Sequence, residues 1–206
     1  MSSPTGPNHH PDILNLQHNL RAAENQSSST AIDPSAREAA VALILRTLPE
    51  KTLELLMIQR AEFEGDPWSG NIALPGGRRE PGEVSLKDTV IREVREETAI
   101  DLAVDGTFLG LLRTVQPLSQ TVPPLIVVPY VVHVKPDAEI VPNHEVARAF
   151  WVPLDALQQA DRWQQTVMTI RGKSRQLSCF RYEDHVIWGM TERILRNFIQ
   201  FLPKAS

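Results

Sequence analysis

At 206 residues the chain can bury one substantial core with some sequence left over. A formal charge of −4, with 42% hydrophobic and 22% charged residues, describes a globular protein without the basic surface that nonspecific nucleic-acid binding needs. The single cysteine, Cys179, excludes an intrachain disulfide, and no apolar run is long enough to span a bilayer.

In chain order, residues 1–35 are rich in Ser, Asn, Pro and His and read as a flexible lead-in with a short helix near Ile13–Ala22. His9 and His10 read as part of a solvated tail. There is no basic start followed by an apolar stretch, so no secretory signal is expected and a cytoplasmic protein is. Residues 36–206 read as one folded domain. The apolar run at 39–45 predicts a buried strand, and 53–60 its hairpin partner. The stretch 64–83, dense in Gly and Pro, predicts turns. A helix is expected from Leu86 to Thr98, started by Ser85 with Asp88 three residues on, a variant capping box. Further strands are expected at 107–115, 125–134 and 146–152, then a short helix at 152–160. A hairpin follows over 166–180, with Gly172-Lys173-Ser174 at its turn. Met190, Ile194, Leu195, Phe198, Ile199 and Leu202 mark one face of a last helix. The fold class is mixed α/β.

Chemistry concentrates between Gly76 and Ile100. On the helix, Leu86, Val90 and Val94 form an apolar stripe, and Glu93 and Glu97 lie one turn apart at its edge. Glu96 sits beside Glu93, with Arg92 one turn before it. Carboxylates packed this closely repel, by ~0.2–0.5 kcal/mol per helical pair and more when desolvated. Two things can offset the repulsion. Arg92 can pair with Glu96, and a hard divalent cation can neutralise Glu93 and Glu97 while keeping positions open for water and phosphate. Gly76-Gly77 allows close backbone approach, with a carbonyl available to a metal. Arg78 and Arg79 suit phosphate oxygens. Glu83 is placed to bind a second metal or take a proton from water. Together these residues point to metal-assisted phosphoryl transfer to water.

Gly77, Glu83 and the run Arg92-Glu93-Val94-Arg95-Glu96-Glu97 with Ile100 resemble the Nudix box. The resemblance implies an α/β/α sandwich with a mixed sheet. It also implies Mg²⁺ or Mn²⁺ on Glu93 and Glu97 assisted by Glu96, and hydrolysis of a nucleoside diphosphate linked to another moiety. There are two departures: eight residues, not seven, separate Glu83 from Arg92, and Ala99 stands where Gly is usual. The extra residue is shared with the coenzyme A pyrophosphatase branch of the family. That branch is also resembled at Leu74-Pro75-Gly76-Gly77, with Gly70 before it, and at Ile187-Trp188-Gly189-Met190-Thr191. It implies cleavage of coenzyme A to 3′,5′-ADP and 4′-phosphopantetheine. Against it, Asp66 stands about where the branch carries a second Arg after Arg60, an acid in place of a cation. ADP-ribose or a dinucleoside polyphosphate is the alternative substrate, and a Nudix-fold sensor that binds nucleotide without cleaving it is the alternative function.

Among the remaining candidates, Glu145 lies just before a strand and reads equally as a base or metal ligand and as a solvated loop acid. His144 reads as surface. Arg60 can reach a phosphate. Trp68 and Trp188 can stack on a base or simply pack. Cys179 reads as buried and structural. The expected partner is a small nucleotide substrate, not nucleic acid or membrane, and a homodimer is left open.

Overall fold

The computed structural model describes residues 10–26, 36–50, 52–66, 68–117, 124–170 and 172–203. Its centre is the long strand β1 (Arg37–Thr47), which pairs antiparallel with β2 (Leu53–Arg60) and with the short β4 (Gly76–Arg78). β1 pairs parallel with β6 (Leu125–Val134). β3 (Ile72–Ala73) and β7 (Val146–Pro153) extend the sheet beyond β2, and β5 (Thr107–Leu111) beyond β6, giving a mixed seven-stranded sheet. β1 is apolar from Ala39 to Leu45 because both faces are covered there. Leu43 and Leu45 enter one core, while Ala40, Ala42 and Ile44 enter the other.

Helix α2 (Leu86–Thr98) covers one face, packing Val90 and Val94 on Ala40, Ala42 and Ile44. The other face is covered by α1 (Pro11–Gln26), α3 (Leu154–Gln158) and α4 (Gly189–Phe198). A three-stranded sheet of β8 (Trp163–Ile170), β9 (Lys173–Tyr182) and β10 (His185–Trp188) lies on that side too. This is the expected α/β/α sandwich. Among the described residues, no helix is long and apolar enough to cross a membrane.

The short helix expected near Ile13–Ala22 is present and runs over Pro11–Gln26. It is more than part of a lead-in, because it buries Ile13, Leu16 and Leu20 in the core. Those three residues recur at helical spacing, and that apolar stripe docks the helix. His9 lies outside the described residues. β3, β4 and β10 were not anticipated, being short and the first two embedded in Gly/Pro-rich sequence. β5 stops at Leu111, and Val115 makes only a single bridge to Val127. The turn at Gly172 and the burial of Cys179 are as expected.

The start of α2 follows its sequence signal. Ser85 caps Asp88 N–H, and the Asp88 carboxylate accepts the Ser85 N–H at 2.9 Å. At its end Ala99 adopts φ 64°, ψ 1°, donating to Arg95 O, in the left-handed region that glycine occupies without strain. Ala99→Gly is therefore expected to stabilise the protein by about 1 kcal/mol. Chemical denaturation checks this, and an unchanged or lowered midpoint would contradict it.

Candidate active site

The site forms where α2 packs against β4. Gly76 sits at φ 140° with its N–H donating to Glu97 Oε2 at 2.8 Å. A Cβ there would lie 2.3 Å from Ala40 O, so only glycine fits between β1 and the helix. Gly77 leaves room for a different group. Its Cβ would fall 2.4 Å from Glu93 Oε1, so the missing side chain is the space that Glu93 occupies. Gly77→Ala should displace that carboxylate while keeping the fold. Activity would fall on the order of 10–100-fold, the usual loss when a metal ligand's support is disturbed. Steady-state kinetics with circular dichroism checks this, and native activity would contradict it.

Arg92 is the organising cation. Its Nε donates to Glu83 Oε1 at 2.8 Å, and one terminal nitrogen reaches Glu93 Oε1 at 2.9 Å and Glu96 Oε2 at 3.1 Å. The other terminal nitrogen donates to Arg78 O at 3.0 Å. The expected Arg92–Glu96 pair is present, but Arg92 also binds Glu93, so of Glu93, Glu96 and Glu97 only Glu97 is left without it. Glu83 is held on every side. Besides Arg92, its other oxygen accepts from Thr89 Oγ1 at 2.6 Å and from the Glu80 N–H at 2.8 Å. Despite the extra residue before the helix, Glu83 still reaches Arg92.

The electrostatics separate these acids. Partial burial pushes Glu83 up, but Arg92, Thr89 and the Glu80 N–H together outweigh it and bring its pKa down to about 2. Glu93 is raised, because burial outweighs its bond to Arg92. Glu97, only 4% exposed, is pushed up to about 8 by burial, with the Glu93 and Glu145 charges adding and Gly76 N–H and Arg60 opposing. The Glu145 charge thus adds to the negative potential at both Glu93 and Glu97. It is exposed, its carbonyl accepts from Ala61 N–H at 2.8 Å, and its N–H is held by Asn143 Oδ1. Asn143 N–H in turn donates to Glu97 O, tying this loop to the end of α2.

The cations divide differently from expectation. Arg79 is committed to the loop, donating to Glu38 Oε2 at 2.6 Å and to the Glu83 and Val84 carbonyls. Arg78 is exposed, in an open cleft of about 400 Å³ that it shares with Arg37 and Glu80. Arg60 pairs with Asp66 at 2.8 Å. Asp66 thus serves as a partner for Arg60. His144 is exposed, as expected of a surface residue. Sequence reasoning missed Thr89, whose hydroxyl fixes Glu83. Its only signal was a hydroxyl residue at a fully buried position of the helix.

Buried Glu97 and half-buried Glu93, both raised, form with Glu96 a donor set with more negative charge than Arg92 balances. Its ligands are all hard oxygens, which fits Mg²⁺ or Mn²⁺. A second acidic group, Glu183, Asp184 and His185 at the β9–β10 turn, is separate in sequence from this helix.

The NUDIX domain model matches residues 36–169, so the chain belongs to the Nudix family. NudL of Yersinia pestis (strain Pestoides F), described as an uncharacterized Nudix hydrolase, is 30% identical over 172 residues, covering 80% of this chain and 79% of that one. An Ap4A hydrolase of C. elegans, solved as a binary complex, is 25% identical with a TM-score of 0.50, covering 61% of this chain and 87% of its own. A MutT/nudix family protein from Enterococcus faecalis, 19% identical, shares the fold at a TM-score of 0.56 over 97% of this chain and 74% of its own. With the family's acid-rich helix intact, the chain is a Nudix pyrophosphohydrolase.

Proposed function

We propose that the protein hydrolyses the diphosphate bond of a nucleotide-linked small molecule in the cytoplasm, with coenzyme A or a derivative as substrate, giving 3′,5′-ADP and 4′-phosphopantetheine. The observation that carries the hydrolytic reading is the Arg92-bound carboxylate set flanking buried Glu97. The choice of coenzyme A is supported by the residues Leu74-Pro75-Gly76-Gly77 and Ile187-Trp188-Gly189-Met190-Thr191. A dinucleoside polyphosphate or ADP-ribose is the second reading, and the likeness to the C. elegans Ap4A hydrolase favours the first of these two.

Glu93 and Glu97, assisted by Glu96 and a Gly76 carbonyl, would hold Mg²⁺ or Mn²⁺. When bound, the cation would neutralise the diphosphate and acidify a water. The chain's own residues do the rest. Glu145 accepts the water's proton, being open to solvent and carried by a loop that Asn143 ties to the Glu97 carbonyl. Glu83 is a poor proton acceptor, since donors occupy both of its oxygens and its pKa is low. We assign it to positioning Arg92. Arg78, in the cleft beside Gly77, takes phosphate oxygens. Arg79 and Arg60 shape the site through Glu38 and Asp66.

Glu97 gives this reading a pH signature in the metal-free protein. Its carboxyl sits at about 8 when folded, against an ordinary 4.5 when unfolded. Between those values the folded state holds a proton that the unfolded chain has released, so stability falls as pH rises through that window and levels off above it. Metal needs the ionised form, so stabilisation by Mg²⁺ should be larger near pH ~8 than near pH ~6. Thermal melts with and without Mg²⁺ check this, and a metal effect independent of pH would contradict it. The function itself is tested by incubating the protein and Mg²⁺ or Mn²⁺ with coenzyme A, ADP-ribose and diadenosine polyphosphates and identifying the products by mass. Release of 3′,5′-ADP and phosphopantetheine from coenzyme A supports the first reading. Cleavage of another member supports the second, and cleavage of none overturns both.

A further inference from the structure

Trp68 is 41% exposed, so part of its indole is open to solvent. Its ring is not loose. The Trp188 indole lies 5.8 Å from it at 43° and braces one side, and Trp188 is itself fixed at the junction of β10 and α4. The backbone beneath is pinned as well. Asp66 uses one oxygen to accept the Trp68 N–H at 3.0 Å and the other to hold Arg60 at 2.8 Å. Ser69 Oγ accepts the Phe63 N–H and donates to the Phe63 carbonyl, and Asn71 N–H donates to Trp68 O. The next residue after Arg60, Ala61, donates its N–H to the Glu145 carbonyl at 2.8 Å, so the segment that Arg60 anchors borders the Glu145 loop of the site. Hydrogen bonds therefore lead from that edge of the site, through Arg60 and Asp66, to an exposed and rigidly held indole.

We propose that Trp68, braced by Trp188, is the stacking surface for the nucleobase of the substrate, and that Asp66 sets its position relative to the hydrolytic carboxylates. An acid at Asp66 is then no defect in anion binding, because it couples the base platform to Arg60. A rigid indole suits this role: every base has a π face, and little side-chain freedom is lost on binding. The proposal rests on the nucleotide-hydrolase reading, but its test does not depend on turnover.

The intact protein is titrated with AMP, with adenosine 3′,5′-bisphosphate and with ribose 5-phosphate, reading intrinsic tryptophan fluorescence and calorimetry. The adenine nucleotides should quench saturably. Trp68→Ala should weaken them by about ten-fold, the scale of one lost base–aromatic stack. Trp68→Phe should restore most of the loss, and ribose 5-phosphate binding should not change. In turnover, Trp68→Ala should raise KM for an adenine-bearing diphosphate with kcat held, and leave a base-free dialkyl diphosphate unaffected. Equal losses for both substrates would make Trp68 a structural loop residue and overturn the proposal. So would a base-specific loss in Phe63→Ala with none in Trp68→Ala, which would put the base against Phe63 and His144. If no diphosphate is cleaved yet adenine binding still depends on Trp68, the hydrolase reading fails and the platform stands. Cleavage with binding indifferent to Trp68 gives the reverse.

Discussion

Glu97→Gln is expected to lower turnover by about 10²–10⁴-fold, the range for loss of a group acting directly on a proton or charge in the transition state, without unfolding the protein. Gln preserves the shape and can still accept the Gly76 N–H that Glu97 Oε2 now accepts at 2.8 Å. What it removes is a buried group whose charge only a cation can balance. The stability consequence runs opposite to the activity. Without metal near pH ~8, the variant should melt no lower than wild type, since the burial that raises Glu97 no longer penalises a charge. With Mg²⁺ the order should reverse, because only wild type gains the metal. Kinetics alone would not separate a ligand from a packing residue, but this crossing of the melting curves does. Native turnover, or melting curves that shift in parallel, would refute the assignment.

Arg92→Ala is expected to damage both stability and activity. The guanidinium is 23% exposed and holds Glu83, Glu93 and Glu96 together with the Arg78 carbonyl. Its removal leaves mutually repelling, half-buried acids with no protein cation among them. Breaking such a pair typically costs ~3–5 kcal/mol, so the melting temperature should drop on the order of 10 °C. Arg92→Lys should recover little, because a single ammonium cannot reproduce the fork that spans Glu83 on one side and Glu93 and Glu96 on the other. Added Mn²⁺ should restore part of the stability of the Ala variant by supplying charge from the other side. A melting temperature within about a degree of wild type would show that the fork is dispensable.

Much of this was legible in the sequence because it rests on local rules. The β1–β2 hairpin followed from apolar runs, and α2 from its Ser85–Asp88 cap and the Leu86–Val90–Val94 stripe. The grouping of Glu93, Glu96 and Glu97 followed from helical spacing alone. What sequence did not reveal depends on contacts between distant segments. The docking of α1 is one case: Ile13, Leu16 and Leu20 were visible as a periodic pattern, but only the core opposite them decides whether they bury. The burial of Glu97 is another. Helix geometry put it at the edge of the stripe, and the insertion of Gly76 between helix and sheet closed it off. Asp66 was read against an expected Arg, whereas its role is set by Arg60 across the turn. Gly77 was read as a place where backbone meets ligand, and its absent side chain turned out to be the seat of Glu93.

The most direct test of the central claim, that α2 carries the metal centre of a diphosphate hydrolase, is an electron paramagnetic resonance count of bound Mn²⁺ near pH ~8, where Glu97 can ionise. It is made on wild type, Glu93→Gln, Glu97→Gln and, as a control, His185→Ala. The account predicts that wild type and His185→Ala bind the same number of ions. Each Glu variant should lose at least one of them together with its activity. Equal Mn²⁺ binding in wild type and both Glu variants would contradict it and place any bound metal elsewhere on the protein.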